Sequence, residues 1–331
     1  MLTRKVPFYL ILISFLFPTI ILSSFLYVNN SNKPNEIVYV DNSCGLNIKR
    51  LNGYKFIHPL LYAEPTCEST NFSQFKSAIE RIINSNKLSG NITNASVYLR
   101  EFTSAQWISI NDEEKYSPGS LMKIPELIAY YKMNEQNPGV LNKVIKYNQA
   151  FESTKNPTIL SKHIEIGKSY TIKELLEYMI VYSDNNATIL LNQHIDQKCF
   201  SKVFSEIGLK EPDYSANEYP LTAKEFSIFM KELYNASYLN RIDSETCLEL
   251  LNKSDFKDGL ISGLPDNCSV SHKFGEGGYV TAPNFSETAI VYCGKKPYLL
   301  TVMTKGTDMK KLPKVIQEIS KTVFDLINNK V

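Results

Sequence analysis

The sequence is poor in the residues that hold metals. Its four histidines, His58, His163, His194 and His272, form no close pair, and no Cys-x-x-Cys spacing occurs, so the ligand pattern of a zinc site is missing. Charge of one sign is not in excess either. Over 331 residues the formal net charge is +2, with no long like-charge run, which removes the electrostatic footprint of a nucleic-acid binder. Neither a metal nor a nucleic-acid partner is expected. What remains is ordinary globular material, 43% hydrophobic and 21% charged, enough for a large core in one or two domains.

One apolar stretch stands apart. Residues 6–28, Val6 to Val28, are long enough to cross a bilayer as a helix and follow Arg4 and Lys5, which predicts a cytoplasmic tip at residues 1–5 and a transmembrane anchor. Ser23 and Ser24 could instead belong to a cleavage site, making the segment a removed signal, and a buried core helix is the third reading. Both export readings put the rest of the chain outside the cytoplasm, at the cell membrane or secreted. Six cysteines agree with export. Cys268 and Cys293 flank a predicted hairpin and could bridge it; Cys44 with Cys67, and Cys199 with Cys247, would use up the remainder, the alternative being separate buried thiols. Residues 29–68 read as a stalk and an extension, with strand-like fragments at Ile37–Val40 and Tyr54–Ile57. That section is either a hairpin docked on the main domain or a spacer. The folded domain is expected over 69–331.

Tyr116-Ser117-Pro118-Gly119-Ser120-Leu121-Met122-Lys123 is the stretch with chemistry in it. Pro118 and Gly119 end an extended run, and Leu121, Ile124, Leu127, Ile128 and Tyr131 then recur at helical spacing, so a helix begins at or beside Ser120. Lys123 lies one turn later on the same side, the geometry of a serine nucleophile with a lysine base. Ser-x-x-Lys also occurs at Ser73/Lys76 and Ser254/Lys257, the first on an amphipathic helix and the second in a turn. Order singles out Ser120. Ser183-Asp184-Asn185 follows at a second helix start, after the capping box of Thr171 and Glu174, and Lys273-Phe274-Gly275 follows on a predicted strand.

These three motifs resemble, in order and separation, those of class A β-lactamases and penicillin-binding proteins, over residues 70–331. The resemblance implies an α+β, sandwich-like fold of β-lactamase/transpeptidase type. In it an antiparallel sheet built from both ends of the chain stands beside an all-helical lobe, preceded here by the transmembrane helix. It implies Ser120 as nucleophile, Lys123 as base, Ser183 as proton relay and Lys273 as a source of positive potential. Asn185, Gly275 and Glu276 would bind substrate, with the N–H groups of Ser120 and Glu276 as the oxyanion hole. No cofactor is implied.

Two departures matter. Class A enzymes hydrolyse the acyl-enzyme with a loop glutamate; here residues 207–220 offer only Glu211 and Glu218, neither in the context Glu-x-x-Leu-Asn. Phe274 stands where a hydroxyl residue is expected, and a ring cannot donate to a substrate carboxylate. The leading expectation is a serine hydrolase forming an acyl-enzyme with β-lactams and hydrolysing it. The alternatives are a D-Ala-D-Ala-type peptidase or esterase acting on a peptidoglycan-like peptide, and an inactive membrane-anchored binding protein on the same scaffold.

Overall fold

The computed structural model describes residues 44–149, 151, 161–213, 219–294 and 296–329. The apolar segment 6–28, the stalk and the fragment Ile37–Val40 lie outside the described residues. Among the described residues no helix is long and apolar enough to cross a membrane.

The first folded element is a hairpin, β1 (Leu46–Arg50) antiparallel to β2 (Leu60–Pro65), closed at its base by a disulfide between Cys44 and Cys67. Tyr54–Ile57, expected as a strand, forms the tip loop instead, because pairing starts on either side of it. Helix α1 (Ser73–Leu88) follows, burying the i, i+4 series Phe75, Ile79 and Ile83. Lys76 there binds Glu68 at 2.6 Å, and Lys257 binds the Ser254 carbonyl at 2.8 Å, so both other Ser-x-x-Lys pairs have structural partners.

Strands β3 (Asn94–Glu101) and β4 (Trp107–Ile110) lead to a 3-10 turn at Gly119–Met122 and to α2 (Lys123–Gln136). A two-stranded ribbon follows, β5 (Val144–Lys146) with β6 (Ser169–Thr171). Helices α3 (Ile172–Val181), α4 (Asn185–Asn192), α5 (Gln197–Ile207), α6 (Ala223–Asn235) and α7 (Arg241–Asn252) complete a helical lobe. Capping boxes open α3 (Thr171 with Glu174) and α6 (Thr222 with Glu225). The chain then returns to the sheet as β7 (Val270–Tyr279), β8 (Ala282–Val291) and β9 (Tyr298–Lys305), and ends in α8 (Leu312–Asn329). The strand order is β4-β3-β9-β8-β7, all antiparallel, so the sheet joins both halves of the chain.

Strand alternation divides the sheet between two layers. Val97, Leu99, Leu300, Val302, Phe285 and Phe274 face α1 and α8, whereas Tyr98, Leu299, Met303 and Ile290 face the helical lobe. Cys268 and Cys293 form the second disulfide, across the β7–β8 base. Cys199 and Cys247 do not pair. Both are free buried thiols, Cys199 packed near the Ala129 carbonyl and Cys247 near Tyr131.

The hairpin is docked rather than a spacer. Glu64 of β2 accepts from Arg100 of β3 and Lys231 of α6, each at 2.9 Å, with all three side chains nearly buried. Removing the one anion would leave two cations buried without compensation. Glu64→Gln is therefore expected to cost about 3–5 kcal/mol in urea or guanidinium unfolding; a loss under about 1 kcal/mol, the value of an exposed pair, would show that the hairpin is not held by this contact.

Candidate active site

Tyr116 fixes the approach to the site. Its backbone exchanges hydrogen bonds with Leu221 at 2.9 and 3.0 Å, and its hydroxyl meets Ser96 Oγ at 3.0 Å. The chain then turns at Gly119, whose φ of +54° is easy only for glycine. A Cβ there would lie 1.9 Å from the Glu276 carbonyl oxygen, and one on Gly275 would lie 2.2 Å from the Pro118 oxygen. Backbone therefore touches backbone between this turn and β7, and the two glycines are what permit it. Ser120 sits on the turn, partly exposed, its carbonyl accepting from the Lys123 amide. Among the described residues its hydroxyl takes no hydrogen bond.

The second motif lies where α3 ends and α4 begins. Asp184 caps α4, accepting from the Asn186 amide at 2.9 Å and the Ile164 amide at 2.8 Å, which turns its carboxylate inward. Ser183 is held at φ +53°, a strained conformation for a residue with a side chain. That twist presents its carbonyl and its hydroxyl to Lys123 together. Lys123 Nζ donates to the Ser183 oxygen at 2.7 Å, to Ser183 Oγ at 3.1 Å and to Asn185 Oδ1 at 2.8 Å. From β7, Lys273 Nζ reaches the same Ser183 Oγ at 2.9 Å and the Phe274 carbonyl at 3.1 Å. A hydroxyl has two acceptor positions and one proton. With both positions occupied by lysine N–H groups, the Ser183 proton must point elsewhere.

Both amines are buried. Burial lowers the Lys123 pKa to about 8, against the opposing pull of Glu126 and Asp184. Lys273 is pushed well below the ordinary lysine range, first by burial and then by the charge of Lys123. Asp184 is raised by burial, with its two backbone donors opposing the shift. Glu126 was not singled out by the sequence. It follows Lys123 by one turn, its Oε1 is buried without a partner among the described residues, and burial pushes its carboxyl up to about 8. The available signal was a carboxyl at i+3 from the lysine on a helix whose residues 123–131 are apolar on every other face.

The structure thus brings Lys123, Ser183, Asn185 and Lys273 into one hydrogen-bonded cluster, with Ser120 one turn before Lys123 and the Gly275–Glu276 backbone against the turn that carries Ser120. Glu211 is exposed and Glu218 lies outside the described residues. The Phe274 ring stacks on Phe256 at 4.0 Å and on Phe285 at 6.1 Å and lies 4.0 Å from Lys273 Nζ, so position 274 backs the Lys273 amine with an aromatic face and supplies no hydroxyl to the site.

A methyl group on Gly275 would displace the Pro118–Leu121 backbone, and misplacement by about 1 Å can cost on the order of 100-fold in rate. Gly275→Ala is expected to slow labelling of Ser120 by a serine-acylating probe by about that factor. Labelling at the wild-type rate would show that the glycine contact does not position the turn.

A profile of the β-lactamase enzyme family matches residues 74–327. Among solved structures, a variant of PBP-A in acyl-enzyme complex with penicillin G is 17% identical, covering 77% of this chain and 96% of its own, with a TM-score of 0.63. A β-lactamase from Sphaerobacter thermophilus DSM 20745 is 16% identical over 77% of this chain and 97% of its own, with a TM-score of 0.63. A class A β-lactamase from Mycobacterium abscessus is 19% identical over 76% and 99%, with a TM-score of 0.61. At such identities these likenesses speak for the fold, and the profile speaks for descent: the chain belongs to the β-lactamase enzyme family.

Proposed function

We propose that the protein is a serine hydrolase that opens β-lactams through an acyl-enzyme on Ser120, held at the outer face of the cell membrane by residues 6–28. The observation that carries this reading is the single Ser183 hydroxyl shared by two buried lysine amines. Lys123 in its neutral form takes the Ser120 proton as Oγ attacks the lactam carbonyl; a C–O bond forms and the carbonyl pair moves onto oxygen, toward the N–H groups of Ser120 and Glu276. As the ring C–N bond breaks, the outward Ser183 proton passes to the departing nitrogen, and Lys123 returns a proton to Ser183. Lys273 balances the anionic group of the substrate, and Asn185 binds its side-chain amide. The acyl-enzyme of PBP-A with penicillin G supports the first half of this cycle on the same fold.

A second reading concerns the other half. Glu211 is exposed and lacks the deacylating context, which favours a long-lived acyl-enzyme and a D-Ala-D-Ala-type peptidase role over rapid hydrolysis. Fluorescent penicillin should label the protein, and Ser120→Ala should abolish the label. Absence of label on the wild type would leave only a binding role. Steady nitrocefin turnover then assigns β-lactamase action, and a persistent adduct the peptidase.

The base also sets a pH dependence. Lys123 acts only when neutral, so with a pKa of about 8 the acylation rate should climb as pH rises from 6 and level off above about 8. A rate already flat at pH 6 would remove Lys123 from the role of base.

A further inference from the structure

The hairpin carries half of the large apolar side chains left exposed among the described residues: Leu46, Ile48 and Leu60 on its strands, and Tyr54, Phe56 and Ile57 at its tip. Phe56 is 86% exposed and Ile57 57%. Register explains the grouping. Ile48 stands opposite Ala63 and Leu46 opposite Pro65, so these side chains share the outer face, while Asn47 opposite Glu64 belongs to the face held by Arg100 and Lys231. The inner face is occupied; the outer one has no cover among the described residues. An apolar surface of this kind, gathered on one element, marks an interaction site.

Charge and chain connection identify what covers it. Lys49, Arg50 and Lys55 lie on the hairpin, and no acidic residue occurs between Cys44 and Ala63. Lys55 Nζ stands 4.9 Å from the Phe56 ring centre, joining a cation to an aromatic side chain at the tip. The Cys44–Cys67 disulfide fixes the point at which the chain enters the hairpin. Ahead of it, residues 29–43 separate Cys44 from the apolar segment ending at Val28. Fully extended, that linker spans at most about 50 Å.

We propose that the outer face and tip of this hairpin rest in the interface of a lipid bilayer bearing anionic headgroups. Tyr54, Phe56 and Ile57 enter the headgroup and upper acyl region, and Arg50 and Lys55 pair with lipid phosphates. The hairpin contacts β3 and α6, whereas Lys273 is on β7 at the far edge of the sheet. Docking by the hairpin therefore leaves the cleft uncovered.

The test uses the full chain in vesicles of phosphatidylcholine and phosphatidylglycerol with brominated acyl chains. Trp107 is the one tryptophan of the sequence and is buried, so Phe56→Trp reports on the tip over a constant background. Emission from the introduced indole should shift to the blue and be quenched by the brominated lipid. Leu88→Trp, on the exposed end of α1, should stay unquenched in the same vesicles. Adding Arg50→Glu and Lys55→Glu to Phe56→Trp should reduce the quenching, unless neutral lipid suffices, which would overturn the anionic preference. A chain that does not float with the vesicles, or one that floats with its tip indole red-shifted and unquenched, overturns the proposal. A blue-shifted but unquenched tip indole does so as well, since protein would then cover the tip, either residues 36–43 or a second copy.

Discussion

Everything at the site depends on two lysine amines being withdrawn from water and aimed at one hydroxyl. An ammonium in a low-dielectric setting is costly unless acceptors surround it. Lys123 has three: a carbonyl, a hydroxyl and an amide oxygen. The arrangement satisfies the cation, yet burial still drags its pKa to about 8. The protein thereby keeps an amine that can lose its proton near neutral pH without losing its place. Lys273 adds a second buried amine on the same oxygen, its protonation disfavoured first by burial and then by the charge of Lys123.

Other features of the fold follow from holding that cluster. Its members come from α2, from the junction of α3 and α4, and from β7, so the helical lobe and the sheet must meet at a fixed distance. On the sheet side the distance is set by glycine. Gly119 and Gly275 let the turn before α2 press its backbone onto β7. On the lobe side it is set by strain, with Ser183 in a left-handed conformation that the Asp184 cap holds in place through its two backbone donors. Below β7, His272 binds Glu287 at 2.8 Å, and the other Glu287 oxygen accepts from the Leu260 amide at 2.7 Å, tying the strand to the turn behind it. The strand that presents Lys273 is thus anchored from both faces.

Much of this was legible in the sequence because local chemistry and position coincide there. Ser120 and Lys123 are neighbours on one coil, the capping boxes at Thr171 and Thr222 announce their helices, and Cys268 and Cys293 mark one hairpin. What escaped depended on distant partners or on the backbone. The Ser183 twist has no side-chain signature, and the stacking of Phe274 between the core rings and the Lys273 amine depends on Phe256 and Phe285, distant in sequence. Helix α5 does have a local signature, with Asp196 as its cap and Val203, Phe204 and Ile207 as its buried stripe. The expected pairing of Cys199 with Cys247 does not form, because an even count says nothing about which thiols the fold brings within bonding reach. Strands β1 and β2 were misplaced toward Tyr54–Ile57, since aromatic and β-branched residues signal a strand equally well when they are exposed at a loop tip.

The central claim is that burial, offset only in part by the charges of Glu126 and Asp184, makes Lys123 an amine of low basicity. Its direct measurement is the titration of the lysine ε-carbons by carbon-13 NMR, with Lys123→Arg and Lys273→Arg used to assign the two resonances. The account predicts that the Lys123 signal titrates near pH 8, well below the ordinary value of 10.5. A Lys123 resonance that titrates with the bulk of the surface lysines would contradict it.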